Sequence, residues 1–442
     1  MRFPALLFVL LMIGSVAGAT PLLRKAHMGI AATPVPAGLR IDSTQPGSTA
    51  ALLHLQKEDI LIAINDSLLR DMPAYQRIAG MLRDGDPVAA RWLRRGKVMH
   101  RVVKAVPRAV EQDSTLDIVY DAVPFRGGLL RTITRRPKGK TRLPCILLIP
   151  GYGCGSIDNF SSGYNGQLMR EWLQHGYAVV TIEKSGMGDS YNCPPCAEVD
   201  LVTDIESFDA GYKYMEQLDF VDQYGLFIWG HSMGGVIAPE VARRHHPRGV
   251  MVYGTVFRPW SEFLLEMHRV QKPLDSLSYQ QTEQFTRLMH KVYYEFFVLK
   301  KSPAELYAIP EYHDIVASEL EYKAGDNNMW GRHWRFWQQL DSLDLSVAWA
   351  QLNCQVLVMN GAADHEQCAA IEPVLIEQTV NEAHPDHATR LQLPGIDHFM
   401  MNSRNYPEAI QHFKERAYTK GNFNFSITQE TLKWMDQVMG RI

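Results

Sequence analysis

The sequence predicts an α/β protein: a doubly wound parallel sheet with an inserted block of helices, preceded by a small β-rich unit. Three observations carry this. Beyond residue 115, short apolar runs alternate with spans of helical spacing. Of these runs, Leu143–Ile149 and 176–182 are apolar almost throughout, as strands covered on both faces are. From about 257 to 345 the strand pattern stops, and aromatics, methionines and charges mix at helical spacing until Cys354. From about 26 to 108, short strands and turns follow one another, ending in a hairpin with its glycine at Arg95-Gly96.

The chain has 442 residues, room for at least two domains. Its hydrophobic content of 46 % and formal charge of −3 suit an ordinary globular protein, and no basic patch points to nucleic acid. The first residues differ. Met1-Arg2 is basic, 5–13 is apolar, and Ala17-Gly18-Ala19 is a small-x-small cleavage signal. This predicts a secretory signal peptide over 1–19, and an exported mature protein, periplasmic or secreted. The apolar core is too short to span a bilayer comfortably as an uncleaved anchor. No later run is long and uncharged enough to span either.

In the first unit, Met28-Gly29-Ile30-Ala31 opens the chain, and Gly38-Leu39-Arg40-Ile41 follows. After the turn Gln45-Pro46-Gly47-Ser48 comes a short helical stretch at 50–53, then an apolar strand over 59–65 and helical spacing over 75–82. Strands at 86–92 and 98–103 close it. The pattern Pro46-Gly47-Ser48-x-Ala50-Ala51, Asp59-Ile60-Leu61-x-Ala63-Ile64-Asn65, Gly85-Asp86 and Arg95-Gly96 resembles a PDZ domain of the bacterial circularly permuted type, over about eighty residues. The resemblance implies that Met28-Gly29-Ile30 is a carboxylate-binding loop, holding a peptide C-terminus by backbone N–H groups while the peptide adds a strand. The usual Gly-Asp before the central strand reads Glu58-Asp59 here. A small barrel packed on the second unit as a structural module is the other reading.

A polar linker is expected at 108–114. Then 116–120 and 129–134 read as an antiparallel pair, and helical spans at 169–174 and 204–218 separate the buried strands. An apolar run ends at Gly230, and helical spacing begins after Ser232. Gly230-His231-Ser232-Met233-Gly234 is therefore G-x-S-x-G in a strand–turn–helix setting. A serine hydroxyl is a weak nucleophile and must be exposed where a histidine can take its proton. A sharp turn provides that exposure. Further on, Asp364 follows the strand 355–361, and His398 follows the strand 390–393.

These motifs, together with Pro150-Gly151-Tyr152-Gly153 after the third strand of this unit and Gly186-Met187-Gly188-Asp189-Ser190 after the fourth, resemble the α/β-hydrolase superfamily over about 115–442. The order Ser232, Asp364, His398 is that superfamily's nucleophile–acid–base order. The resemblance implies Ser232 as nucleophile, His398 as general base and Asp364 as its orienting acid, with Glu366 and Asp397 close by in sequence. It also implies an oxyanion hole built by the backbone N–H groups of Tyr152 and Met233. The block at 257–345 becomes a helical cap. Its aromatics read mainly as packing core, with some as pocket wall, and Arg258 is a weak candidate to clamp a substrate carboxylate.

Six cysteines are present: Cys145, Cys154, Cys193, Cys196, Cys354 and Cys368. Export permits disulfides. Cys193-Pro194-Pro195-Cys196 reads as structural, since no second C-x-x-C completes a zinc site. Adjacent strands of the resembled fold bring its loop to Cys154, which implies a Cys154–Cys196 bond, with Cys193 the alternative partner. No cofactor is called for, and His231 and His365 lack metal-ligand spacing. The expected activity is hydrolysis of a carboxylic ester of small-molecule size. A serine peptidase, or a non-catalytic peptide-binding adaptor, is the alternative. A closed apolar pocket would favour the ester, and a charged clamp beside Ser232 the peptide.

Overall fold

The computed structural model describes residues 22–158, 163–415 and 420–441. The expected signal peptide lies outside the described residues. Among the described residues no helix is long and apolar enough to cross a membrane.

Six strands build the N-terminal sheet: β1 (Ile30–Val35), β2 (Gly38–Thr44), β3 (Ile60–Ile64), β4 (Ser67–Leu68), β5 (Pro87–Arg94) and β6 (Lys97–Lys104). They run in the order β1-β2-β3-β5-β6, all antiparallel, with β4 paired to β3. Alternation puts Leu39, Ile41, Leu61, Val88, Ala90 and Trp92 inside, where they form a core of their own. The helix Met72–Met81 is capped by Asp71, whose carboxylate accepts from the Ala74 N–H at 2.7 Å. Glu58 takes a left-handed φ of +70°. Arg94 grips Asp59 next to it through Nε at 2.8 Å and Nη2 at 2.7 Å, fixing the turn.

The second sheet has eight strands. β7 (Leu116–Phe125), β8 (Gly128–Pro137), β9 (Leu143–Ile149), β10 (Ala178–Ile182), β11 (Val221–His231) and β12 (Gly249–Tyr253) precede the insertion. Inside it, β13 (Asn328–Met329) and β14 (Arg332–His333) form a hairpin; β15 (Gln355–Gly361) and β16 (Ala388–Leu393) complete the sheet. The order is β16-β15-β12-β11-β9-β10-β8-β7. From β10 to β16 neighbours are parallel, whereas β7–β8 and β8–β10 are antiparallel. The sheet is therefore mixed rather than wholly parallel. β9 is buried at every position because helices cover both faces.

The insertion is helical at Trp260–Leu274, Tyr279–Tyr293, Pro303–Tyr307, His313–Ser318 and Trp334–Ser342. The last of these helices starts only at Trp334. Trp330 and Gly331 both take positive φ, +50° and +73°, and turn the short hairpin just before it. Residues 108–114 are not a free linker. Glu111 pairs with Arg135 at 2.5 Å, and the Ala109 carbonyl accepts from Arg24 at 2.7 Å. Arg24 also pairs with Asp158 at 2.7 Å and Asp189 at 2.5 Å, and the Lys25 N–H donates to Asp189 at 2.7 Å. These bonds tie the start of the described chain to the loops after β9 and β10. Cys154 and Cys196 form a disulfide, while Cys145, Cys193, Cys354 and Cys368 are free.

Candidate active site

β11 ends at His231, and the helix Met233–His245 begins two residues later. Between them Ser232 adopts φ +54°, ψ −122°, a strained conformation costing about 1–3 kcal/mol. The Ser232 N–H donates to the Tyr253 carbonyl at 2.9 Å, and the Gly235 N–H to the Ser232 carbonyl at 2.8 Å. The glycines have separate reasons. A Cβ on Gly230 would lie 2.5 Å from the Gly234 oxygen. One on Gly234 would lie 2.1 Å from the Ile149 oxygen, so the helix start rests directly on the end of β9. One on Gly235 would meet the Thr255 Cβ at 2.5 Å.

Asp364 and His398 come together from the loops after β15 and β16. His398 Nδ1 lies 3.0 Å and 2.9 Å from the two Asp364 oxygens, and both residues are buried. Asp364 Oδ1 also accepts from the N–H groups of Glu366 and Gln367 at 3.1 and 2.8 Å. Burial alone would push the Asp364 pKa up; the imidazole and the N–H donors outweigh it and hold the carboxyl below its ordinary range. Burial alone would lower His398, but the Asp364 charge and hydrogen bond prevail and raise it above the usual histidine value. An ionised Asp364 requires the proton on Nδ1, leaving Nε2 as the basic nitrogen.

Asp397 is bound elsewhere: it accepts from Phe399 N at 3.0 Å, Met401 N at 2.9 Å and Ser403 Oγ at 3.0 Å, shaping the turn that carries His398. His231 Nε2 lies 2.8 Å from the His398 carbonyl oxygen; burial pushes its pKa down to about 3, so it is a neutral strut. Arg258 does not face this site as a clamp. It pairs with Glu372 at 2.6 Å and with Glu266, and Glu372 also accepts from the backbone of Phe257 and Arg258.

The loop after β9 passes close to Ser232: a Cβ on Gly151 would stand 3.5 Å from the Ser232 Cβ. Three consecutive carbonyls of this loop are held from below. Lys184 Nζ donates to the Gly151 oxygen at 2.5 Å and the Gly153 oxygen at 3.2 Å, and Arg332 Nη1 to the Tyr152 oxygen at 2.8 Å. Asp204 stands between the two cations, 2.8 Å from Arg332 and 3.9 Å from Lys184. Burial pushes the Lys184 pKa down to about 8, with Asp204 opposing and Arg332 adding to the shift. Further along, Glu183 accepts from Ser156 Oγ at 2.5 Å and the Ile157 N–H at 3.1 Å; burial pushes its pKa up to about 7. A Cβ on Gly188 would lie 1.8 Å from Glu183 Oε1, so that glycine makes room for the carboxylate.

A cavity of about 450 Å³ opens over Ser232 and His398, walled by cap aromatics including Trp260, Phe263, Trp330 and Trp337. Tyr293, Phe296, Phe297 and Phe336 are packed into the core instead. Tyr152 and Met233 also line the cavity. Met28, Gly29 and Ile30 sit apart from it, in the N-terminal unit. There the Met28 and Gly29 carbonyls accept from Ala50 and Gln45, and Ile30 starts β1. Sequence reasoning missed Lys184, Asp204, Arg332, Glu183 and Trp337, since an isolated charge or tryptophan carries no motif. Among the described residues no group of three or more His, Cys, Asp or Glu is arranged to hold a metal ion.

A family model described as the alpha/beta hydrolase family matches residues 146–410, more than half of the chain. The protein belongs to the alpha/beta hydrolase family. No curated protein matches the sequence. Among solved structures, this hydrolase is similar to Est1E from Butyrivibrio proteoclasticus, at 13 % identity and TM-score 0.44, over 73 % of this chain and 99 % of that one. It is also similar to acetyl xylan esterase 1 from Thermoanaerobacterium sp. JW/SL YS485, at 15 % and 0.41, over 70 % and 86 %. A third is a putative dipeptidyl aminopeptidase IV from Bacteroides ovatus ATCC 8483, at 14 % and 0.41, over 83 % of this chain and 44 % of that one.

Gly254 faces the Asp364–His398 pair. With φ at +61°, a Cβ there would lie 2.8 Å from Asp364 Oδ2 and 3.0 Å from His398 Nδ1. Gly254→Ala is expected to unfold at a stability lower by about 1–3 kcal/mol. It should also lose the far-downfield NMR resonance of the proton between these two side chains. A folded variant that keeps this resonance unchanged would contradict the contact.

Proposed function

We propose that this hydrolase is an exported serine hydrolase that cleaves a carboxylic ester through Ser232, His398 and Asp364. The observation that carries the reading is the buried Asp364–His398 pair, at 2.9 Å, whose histidine lines the same cavity as the strained Ser232. Ser232 Oγ attacks the carbonyl carbon while His398 Nε2 takes its proton. Asp364 keeps the imidazole in that tautomer and stabilises the imidazolium. The carbonyl oxygen gains the charge and receives the N–H groups of Tyr152 and Met233, the latter at a helix N-terminus. His398 then protonates the leaving alcohol, and water releases the acyl group by the same steps in reverse. The apolar cavity wall supports an ester. Two carboxylates at the cavity, Glu321 and Glu366, support a second reading: cleavage of an amide in a peptide with a free amino group. The Cys154–Cys196 disulfide is consistent with export.

A fluorophosphonate probe should label the protein and not Ser232→Ala; a folded wild type that stays unlabelled would refute the reading. His398 must be neutral to act. Its raised pKa means that kcat/KM should fall on acidification with a midpoint above the ordinary histidine value of about 6.5, read from a pH–rate profile.

Lys184 belongs to this reading as a positioning residue. By holding the Gly151 and Gly153 carbonyls it turns the Tyr152 N–H toward the reacting oxygen. Lys184→Met should lower kcat by about 10²-fold with KM little changed. Equal loss in both, or only a lower Tm, would argue against the role.

For the N-terminal unit we propose capture of a peptide C-terminus at Met28-Gly29-Ile30. β1 beside it is an edge strand with one neighbour among the described residues, so a peptide strand can be added there. Fluorescence anisotropy should show binding of C-terminal peptides as free acids and not as amides; equal binding of both would refute it.

A further inference from the structure

The cavity over Ser232 has an uneven charge. Its lining includes Glu321 and Glu366 but, among the described residues, no lysine or arginine. The nearby cations, Lys184 and Arg332, are buried under the loop after β9 and engaged by its carbonyls and Asp204. Burial raises the Tyr152 pKa, and the charges of Glu366 and Glu321 raise it further, so both carboxylates are within electrostatic reach of one phenol. Glu366 also adds to the charge that favours protonated His398. Glu366 itself lies 3.3 Å from His365 Nε2.

A second observation points the same way. Gln367 is only 4 % exposed and lines the cavity. Its Nε2 donates to the Ala369 carbonyl at 2.7 Å, which fixes the amide orientation, and its Oε1 has no hydrogen-bond partner among the described residues. A buried acceptor left unpaired costs about 1–3 kcal/mol, so a donor from a ligand would relieve it. Thr255 Oγ1, equally buried in the same wall, is also without a partner. Glu321, Glu366 and Gln367 thus line one cavity, and the rings of Tyr152, Trp260, Trp330 and Trp337 line it with them. Carboxylates supply charge, and aromatic walls favour a weakly hydrated cation over a strongly hydrated one.

We infer that the substrate carries a positively charged amino or quaternary ammonium group near its scissile carbonyl, held by Glu366, Glu321 and the Gln367 oxygen. This rests on the hydrolase reading for turnover, but the binding itself does not. Two kinds of substrate share this chemistry: an ester with a cationic alcohol or acyl part, and a peptide with a free N-terminus.

The test uses matched pairs on the whole protein. Acetylthiocholine is compared with its neutral isostere 3,3-dimethylbutyl thioacetate, and alanine p-nitroanilide with N-acetylalanine p-nitroanilide. In at least one pair the cationic member should have a kcat/KM about tenfold higher or more. That ratio should drop toward one in the double variant Glu366→Gln, Glu321→Gln. The pair that shows the preference distinguishes ester from peptide. Neutral members turned over as well as cationic ones would overturn the inference while leaving the serine hydrolase intact. A protein that the fluorophosphonate fails to label tests the two ideas separately. Saturable quenching of tryptophan fluorescence by choline, but not by 3,3-dimethylbutanol, would then uphold the cation site, and equal or absent quenching by both would overturn it.

Discussion

The crossing of β9 and the helix Met233–His245 is the constraint on which the site depends. The Gly234 backbone touches the Ile149 carbonyl so closely that no side chain fits between them. That contact sets where the helix begins, and its start sets where Ser232 stands. The serine then takes a conformation it would not adopt alone, held by its N–H bond to Tyr253 and by the helix that follows. A parallel sheet buried on both faces supplies the rigidity for this. β9, β11 and β12 are joined strand to strand up to the residues that present the serine.

The second organising feature is a buried group of charges beneath the loop after β9. Lys184 follows β10, Asp204 lies in the helix Leu201–Glu216, and Arg332 comes from the hairpin in the cap. Isolated, each would be costly to bury; together, Asp204 offsets part of the positive charge and the two cations satisfy three backbone carbonyls. The cap is thereby linked to the loop facing Ser232 by a charge-assisted bond, and not merely by packing. Farther along, Glu183, the Cys154–Cys196 disulfide and the Arg24–Asp158 pair hold the rest of the loop. One segment of eight residues, 151–158, thus meets the sheet, the cap and the N-terminal unit.

Much of this was written locally. The strands at Leu143–Ile149 and Gln355–Gly361 have the bounds that their apolar runs predict, because a strand covered on both sides has no polar face to blur its ends. The turn at Ser232 is legible for a related reason: a backbone crossing that admits only glycine leaves glycines in the sequence. Asp364 and His398 were legible by order and by the strands before them. Their contact is a tertiary fact, as is the engagement of Asp397 with its own turn and of Arg258 with Glu372. Motif order pointed to Asp364, but that Asp397, next to the imidazole in sequence, turns to its own loop instead depends on the chain direction after the last strand.

By itself, the sequence determined the class of fold, the strand–turn–helix at Ser232 and the order of Ser232, Asp364 and His398 behind their strands, since period, glycine and motif spacing are local properties of the chain. Tertiary structure alone decided which cap aromatics face the cavity. Trp330 and Trp337 reach it because a two-residue turn, Trp330-Gly331, re-aims the segment that periodicity would have made helical. It alone also brought Lys184, Asp204 and Arg332 into one cluster from three separate elements. The attraction between buried charges acts through space in a poorly screening interior, and the separation along the chain, nearly 150 residues from Lys184 to Arg332, leaves no trace of it in the sequence.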